Sequence, residues 1–162
     1  MAYDAFLLLD GVKGESTRKG FEGQIEISSF SFGASNPTTI GSMGPGGGAG
    51  KASLSSFNFM KHTDASSPLM FQACCAGKHF PKAKITLHKA GGDAAVDYLI
   101  YEFEGCYIDG LQWSGHSGGD DRPMENVSVA FGKVTVTYTP QDDKGAKGSP
   151  VIGSWDIRKV TK

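Results

Sequence analysis

A serine flanked by glycines carries the residue types of a hydrolase nucleophile. Residues 115–119 read Gly-His-Ser-Gly-Gly and match G-x-S-x-G, the strand-to-helix turn that exposes the catalytic serine of α/β-hydrolases. That site also needs a helix after the turn, and an acid and a histidine later in the chain. All four histidines precede Ser117, and residues 120–123 (Asp-Asp-Arg-Pro) are a poor helix start. We therefore interpret the segment as a glycine-rich turn, with a serine hydrolase using Ser117 as an alternative.

Residues 44–51 resemble a phosphate-binding loop only in part. The pattern G-x-x-x-x-G-K-[ST] requires glycine where Pro45 stands and a hydroxyl where Ala52 stands. The following residues have a strand pattern, so the helix N-terminus that binds phosphate would be missing. The sequence predicts no nucleotide site here.

Histidine and cysteine spacing does not predict a metal centre or a cofactor. The four histidines are far apart in the chain, and no carboxylate or cysteine pattern joins them. Cys74, Cys75 and Cys106 are odd in number and two are adjacent, which suits neither a disulfide framework nor a zinc site. We interpret all three as small buried apolar residues, and we expect no catalysis.

One helix is predicted, within residues 64–81. Ser67 can cap it, Pro68 can take the first helical position, and Gly77 can adopt the left-handed conformation that ends a helix. Four residues then share one apolar face that a sheet must cover: Leu69, Met70, Ala73 and Cys74.

Strand patterns fill most of the remaining chain. The predicted strands cover residues 2–9, 24–32, 52–61, 82–89, 96–104, 106–113, 127–138 and 151–160. The first is apolar on both faces and is expected to be fully buried. The apolar phase shifts at Ser28-Ser29 and again at Gly132-Lys133, which predicts bulges and a sheet that curves towards closure, and Gly105 predicts a kink. About eight strands favour an antiparallel barrel or sandwich in a single domain, residues 1–162.

Composition excludes several classes of partner. The 162 residues are 39% hydrophobic and 20% charged, with a net charge of -1 and a pI of about 6.4. Nucleic acid or an anionic membrane would require clustered Lys and Arg, which the chain lacks. The N-terminus has Asp4 where a signal peptide has positive charge, and the apolar run 6–9 is too short to span a bilayer. We expect synthesis in the cytoplasm, no signal peptide and no membrane insertion.

Glycine is about twice as frequent as usual, with 23 residues. Residues 41–50 hold a dense glycine block, which predicts a long flexible loop. Polar faces along the strands, formed by Lys82, Lys84 and His88 and by Glu102 and Glu104, are either solvated or line a water-filled surface made by several copies.

Nine short segments together resemble the haemolysin-coregulated protein (Hcp) family, the inner-tube subunit of bacterial type VI secretion systems. The segments are residues 1–4 (Met-Ala-Tyr-Asp), 12–16 (Val-Lys-Gly-Glu-Ser), 30–33 (Phe-Ser-Phe-Gly), 46–51 (Gly-Gly-Gly-Ala-Gly-Lys), 73–74 (Ala-Cys), 77–83 (Gly-Lys-His-Phe-Pro-Lys-Ala), 89–92 (Lys-Ala-Gly-Gly), 125–127 (Glu-Asn-Val) and 155–158 (Trp-Asp-Ile-Arg). They follow the family's order over nearly the whole chain. Two departures are Phe30 and Phe32, where tryptophans are common, and Cys75, which makes an unusual cysteine pair.

The resemblance implies a single antiparallel β-barrel of about eight strands with one short α-helix packed on it and a long Gly-rich loop. It also implies homohexameric rings that stack into a tube, which a contractile sheath expels behind a spike protein. Small effector proteins travel in the lumen of such tubes, so the protein would be secreted. A monomeric β-barrel binding module remains the alternative from a different functional class.

Two sets of site residues follow from the resemblance. The Gly-rich loop is expected to contact a neighbouring subunit or ring and to become ordered on assembly. Its contact residues are Met43, Gly44, Pro45, Gly46, Gly47, Gly48 and Lys51. Ser31 lies between Phe30 and Phe32, so buried phenylalanines would point it away from the core, either into a lumen with effectors or simply into solvent.

Overall fold

The computed structural model describes residues 3–38, 50–89, 96–119 and 121–162, which form eleven strands and one helix. The elements are β1 (Tyr3–Leu9), β2 (Ile25–Ile27), β3 (Ser29–Ser31), β4 (Ala34–Ser35), β5 (Ser53–Leu54), β6 (Phe57–His62), α1 (Ser67–Ala76), β7 (His79–Lys89), β8 (Val96–Ser114), β9 (Met124–Ala130), β10 (Lys133–Tyr138) and β11 (Val151–Asp156). No helix within these ranges is long and apolar enough to cross a membrane.

Nine of the strands form one antiparallel sheet, in which seven follow the order β2-β1-β7-β8-β9-β6-β3 and the other two, β10 and β11, branch from β8. Its two terminal strands, β2 and β3, are consecutive in the chain and separated only by Ser28. The Ser28 N–H donates to the carbonyl of Met60 in β6 at 2.8 Å. The sheet therefore curls until its ends adjoin, which agrees with the predicted mainly β, antiparallel fold with one helix. The phase change predicted at Ser28-Ser29 is real, but it marks a change of partner strand, from β1 to β6, rather than a bulge within one strand.

The longest strand, β8, organises the rest of the sheet. Its first half pairs with β7 on one side and β10 on the other, and its second half pairs with β9. Gly105 lies at the change with φ +65°, where a left-handed residue is needed, so the predicted kink is confirmed. The predicted change of apolar phase near Gly132 lies between two strands, β9 and β10. These two strands pair with different halves of β8. Strand β11 pairs with β10 only, and β4 and β5 form a separate two-stranded sheet.

The core lies on the inner face of the curled sheet. The inward row of β7, Ala83, Ile85 and Leu87, is buried, with no side chain more than 2% exposed. Aromatic rings from β6 and β8, Phe57 and Phe103, stand 5.1 Å apart at its centre. Each such side chain removed from water contributes about 1.5–3 kcal/mol to folding.

The helix begins at Ser67, one residue earlier than predicted, so Ser66 takes the cap position and Pro68 is its second residue. The missing Pro68 N–H costs nothing there, because the first four N–H groups of a helix have no intrahelical partner. Gly77 ends the helix with φ +61°, as predicted. Ser67, Met70 and Ala73 are buried at a spacing of three residues.

The predicted inner face of α1 is partly wrong. Leu69 is 46% exposed, and Cys74 is half-buried. The hydroxyl of Ser67 is bonded to buried Lys61, which turns the face carrying Met70 and Ala73 towards the sheet and rotates Leu69 outwards. The same rotation exposes Cys75, so burial of all three cysteines is also wrong, and only Cys106 is fully buried.

Two further strand predictions need correction. β1 is not buried on both faces, because Leu8 lies on its outer side and is 51% exposed. The last strand ends at Asp156 instead of continuing to residue 160. A turn replaces its second half, in which Val160 has φ +56° and its N–H bonds to the Asp156 carbonyl at 2.8 Å.

Candidate functional site

Ser31 ends β3 on the solvent side of the sheet. Its neighbours Phe30 and Phe32 pack on the core, with ring centroids 5.5 Å from Phe57 and 5.6 Å from Phe103 respectively. Alternation along the strand therefore points Ser31 outwards, and it is exposed.

Ser31 belongs to a set of mostly polar, uncharged residues that crosses four strands. Its register runs from Ser31 through Asn58 and Ser128 to Gly110. The adjacent row contains Ser29, Met60, Asn126 and Gln112. We call these eight residues the neutral face. Along these strands the residues of the neutral face alternate with buried inward residues, such as Phe59 and Val127. The neutral face is therefore the outer side of a well-packed sheet.

The four-stranded part that carries the neutral face has two lateral edges without a strand partner among the described residues, called open below. Helix α1 packs on β8 near one of them, where the rings of Phe71 and Trp113 are 5.4 Å apart. Among the described strands, β3 pairs with β6 only. Pairing between β7 and β8 stops at Tyr107, so 108–114 of β8 pairs with β9 alone in the part of the chain that the structure covers. Unpaired edges leave backbone N–H and C=O groups available to another strand.

The predicted loop contacts lie mainly outside the described residues, which exclude 39–49 and therefore Met43, Gly44, Pro45, Gly46, Gly47 and Gly48. Lys51 is described and exposed. The Gly50 N–H donates to the Pro37 carbonyl at 2.8 Å, so the two ends of this segment meet beside β4 and β5. That position directly follows β3 in the chain.

The charged strand faces predicted from the sequence come together elsewhere on the sheet. Lys82 is opposite Glu104, which is opposite Lys133. Lys84 is likewise opposite Glu102. Opposite charges on neighbouring strands stabilise a sheet modestly, by about 0.2–1 kcal/mol per pair.

Ser117 does not lie on a nucleophile elbow. It is exposed in the loop after β8, and Gly118 has φ +94°. Among the described residues the next regular element is strand β9, not a helix. The helix that would position a catalytic serine and its oxyanion donors is thus not formed.

A buried ion network ties the start of α1 to the sheet. The ammonium of Lys61 lies 2.9 Å from Glu125 Oε2 and 2.8 Å from Asp64 Oδ1, and it donates to Ser67 Oγ at 3.0 Å. The indole N–H of Trp113 donates to Glu125 Oε1 at 2.5 Å. Lys61 and Glu125 are fully buried.

This network was not predicted from the sequence, although the sequence holds a signal for it. Lys61 continues the inward alternation of Phe57 and Phe59, and Glu125 stands in the inward series with Val127. A charged residue at an inward strand position requires a partner of opposite charge.

The C-terminal motif forms a tight turn. Asp156 Oδ1 accepts backbone N–H groups of Arg158 at 2.9 Å and Lys159 at 3.0 Å. These bonds, that of Lys159 first, hold the pKa of Asp156 below its usual value. The Arg158 side chain covers Gly132, where an added Cβ would come within 2.7 Å of Arg158 Nε.

Comparison with known proteins agrees with the fold. A family model described as "Type VI secretion system effector, Hcp" matches residues 6–138. Protein hcp1 of Pseudomonas aeruginosa is 42% identical over 160 residues, and the match covers 98% of both chains.

Solved structures give the same result. One described as a type six secretion system protein superposes with a TM-score of 0.93 at 33% identity, covering 99% of both chains. Hcp1 from Salmonella typhimurium superposes with a TM-score of 0.79 at 28% identity, also over 99% of both chains. These matches confirm the resemblance noted from the sequence: the chain belongs to the Hcp family of type VI secretion system proteins.

Proposed function

We propose that this protein is a structural subunit that assembles into hexameric rings, and that the rings stack into the tube of a type VI secretion system. Family membership supports a role in the secretion system, and the number of six subunits per ring comes from the resemblance. The observation that carries assembly is the four-stranded neutral face with an open strand at each side. The protein acts in this role without catalysis of its own.

The two open edges have the strand directions that antiparallel pairing between two copies requires. Successive antiparallel pairings from β3 through β6 and β9 to β8 make β3 and β8 run in opposite directions. The β3 edge of a second copy would therefore continue the antiparallel order next to residues 108–114 of the first. Contacts of this head-to-tail kind use two different surfaces of each subunit and generate a ring when the rotation closes.

The neutral face is then the lumen wall. None of its eight residues carries a charge, so a passenger protein meets polar groups without having to desolvate fixed charges. Ser31 is part of this wall and is proposed to contact effectors. Export by sheath contraction behind a spike protein completes the role that the family suggests.

The loop at residues 43–48 and Lys51 is proposed to contact the neighbouring subunit or ring. The hydrogen bond between Pro37 and Gly50 supports this, because it anchors the loop just after the open strand β3. A loop starting there is close to the place where the next copy would pair.

Charge substitutions at the two edges test the ring. Ser29 and Gln112 are exposed and occupy opposite ends of one row of the neutral face. We expect Ser29→Glu/Gln112→Glu to place like charges across the contact and abolish rings in electron microscopy and sedimentation. Ser29→Lys/Gln112→Glu should restore them, since the charges then attract.

Asn126→Glu is the matched control, because it adds the same charge to the middle of the row, away from both edges. It should leave rings intact. Unmodified protein that sediments as a monomer at every concentration would overturn the proposal and favour the monomeric binding module.

A further inference from the structure

A pocket of about 320 Å³ opens where the outer side of β1 and β7 meets the turn before β2. It is separate from the neutral face, which lies on β3, β6, β9 and the second half of β8. The residues that carry its chemistry are Lys19, Lys84, Lys147, Thr86, His88 and Asp97. Its volume is at the lower end of the range for small-molecule sites, about 300–1,000 Å³.

Three lysines from distant parts of the chain line this pocket. Lys19 belongs to the turn before β2, Lys84 to β7, and Lys147 to the connection between β10 and β11. Salt bridges between residues in the described ranges do not involve any of the three. Bringing like charges together is unfavourable unless an anion accompanies them.

Four acidic groups lie on or near the pocket. The Glu22 carboxylate accepts the N–H of Gly20, a lining residue, at 2.9 Å. Asp97, the one carboxylate in the described lining, lies 2.7 Å from His88 Nδ1. Asp4, opposite His88 in the register, is paired with Arg18 at 2.8 Å. Glu102 is opposite Lys84 but lines the neighbouring groove. The described lining therefore holds three lysines against one carboxylate, an excess of positive charge.

His88 and Thr86 add two polar groups to the three lysines of the lining. The His88 ring is held by Asp97 and by Phe21, whose ring meets it edge-on at 5.1 Å. Because an ionised carboxylate only accepts, Nδ1 is the donor to Asp97 and Nε2 is the nitrogen that can meet a ligand. Thr86 lines the pocket although it is only 4% exposed, so its hydroxyl is positioned by the sheet.

We propose that this pocket binds a phosphate group, either as the free anion or as a phosphomonoester. Several ammonium groups with a hydroxyl and an imidazole match the charge and the acceptor oxygens of phosphate. Exposed Leu8 and buried Phe21 form an apolar wall beside the lysines, which suits the organic part of an ester. A ligand at this site would be additional to the structural role proposed above.

The test uses isothermal titration of the assembled, full-length protein with inorganic phosphate and with phenyl phosphate. Lys84→Gln/Lys147→Gln should weaken binding of the preferred probe at least tenfold. Lys82→Gln is the matched control, because Lys82 lies two residues from Lys84 on the same side of β7 and outside the pocket. It should change the affinity less than twofold, and light scattering should show the same assembly for all variants.

Tighter binding of phenyl phosphate identifies an ester as the ligand, and equal affinity identifies the free anion. Both results support a phosphate site. The proposal is overturned when neither probe binds, or when Lys82→Gln weakens binding as much as the double substitution, since that reports general surface charge. A protein that binds phosphate without forming rings would refute only the assembly proposal.

Discussion

Lys61 shows how one side chain connects three parts of this molecule. It lies in β6, forms an ion pair with Glu125 of β9, and donates a hydrogen bond to Ser67 in the first turn of α1. A fully buried ammonium is tolerated because two carboxylates and two further oxygens, the Ser67 hydroxyl and the His62 carbonyl, surround it. The helix is predictable from local sequence but this attachment is not, because the ion pair joins residues 64 positions apart.

We predict that Lys61→Met lowers the free energy of unfolding by about 3–5 kcal/mol, because it leaves Glu125 buried without its counter-charge. Urea unfolding measures the loss. Lys61→Met/Glu125→Leu should be less damaging than the single change, since no unpaired charge then remains in that pair.

Lys82→Met serves as the control for the same substitution at an exposed strand position, and it should change stability by less than about 0.5 kcal/mol. Equal losses for the two lysines would contradict a structural role for the buried network.

At the scale of elements, helix α1 illustrates what periodicity can and cannot assign. Leu69 and Met70 are adjacent and both apolar, so either can belong to the inner face of the predicted helix. The contact between Ser67 and Lys61 fixes the rotation, burying Met70 completely and leaving Leu69 46% exposed. Rotation of a short helix is set by its tertiary contacts more than by its own pattern.

Truncating Leu69 and Met70 separately shows which of the two lies on the inner face of α1. We expect Met70→Ala to reduce the free energy of unfolding by about 2–5 kcal/mol through loss of buried methylenes and a cavity. Leu69→Ala should cost clearly less, about 1 kcal/mol or below, because about half of its side chain is already exposed. Thermal and urea unfolding of both variants measure this difference, and a larger loss for Leu69→Ala would refute the observed rotation.

For the whole molecule, the main consequence of the topology is a sheet that is nearly closed yet has open edges. Curling brings β2 and β3 against each other through Ser28, while β3 and the second half of β8 keep one side available among the described strands. A protein with such edges either protects them or uses them for association. In the proposed ring, the edges are used for association.

Assembly through these edges should make thermal stability depend on concentration, because rings bind folded subunits only. For a hexamer, tenfold dilution removes about 1 kcal/mol per subunit, which lowers the apparent Tm by about 2–4 °C in a chain of this size. Scanning calorimetry over a hundredfold concentration range measures the slope. The Ser29→Glu/Gln112→Glu variant should show none, and a slope equal to that of the unmodified protein would count against these edges as the contact.

The sequence by itself determined the family, the mainly β content, the single helix with its terminal Gly77, and the outward direction of Ser31. The family follows from the ordered segments that resemble it, whereas the strand content, the helix and the direction of Ser31 follow from local sterics and from the periods of two and 3.6 residues, which act over a few neighbouring positions. Only the tertiary structure decided that Ser31 shares a row with Asn58 and Ser128, and that Lys61 meets Glu125. Those contacts depend on strand order and register between distant segments, which no local pattern specifies.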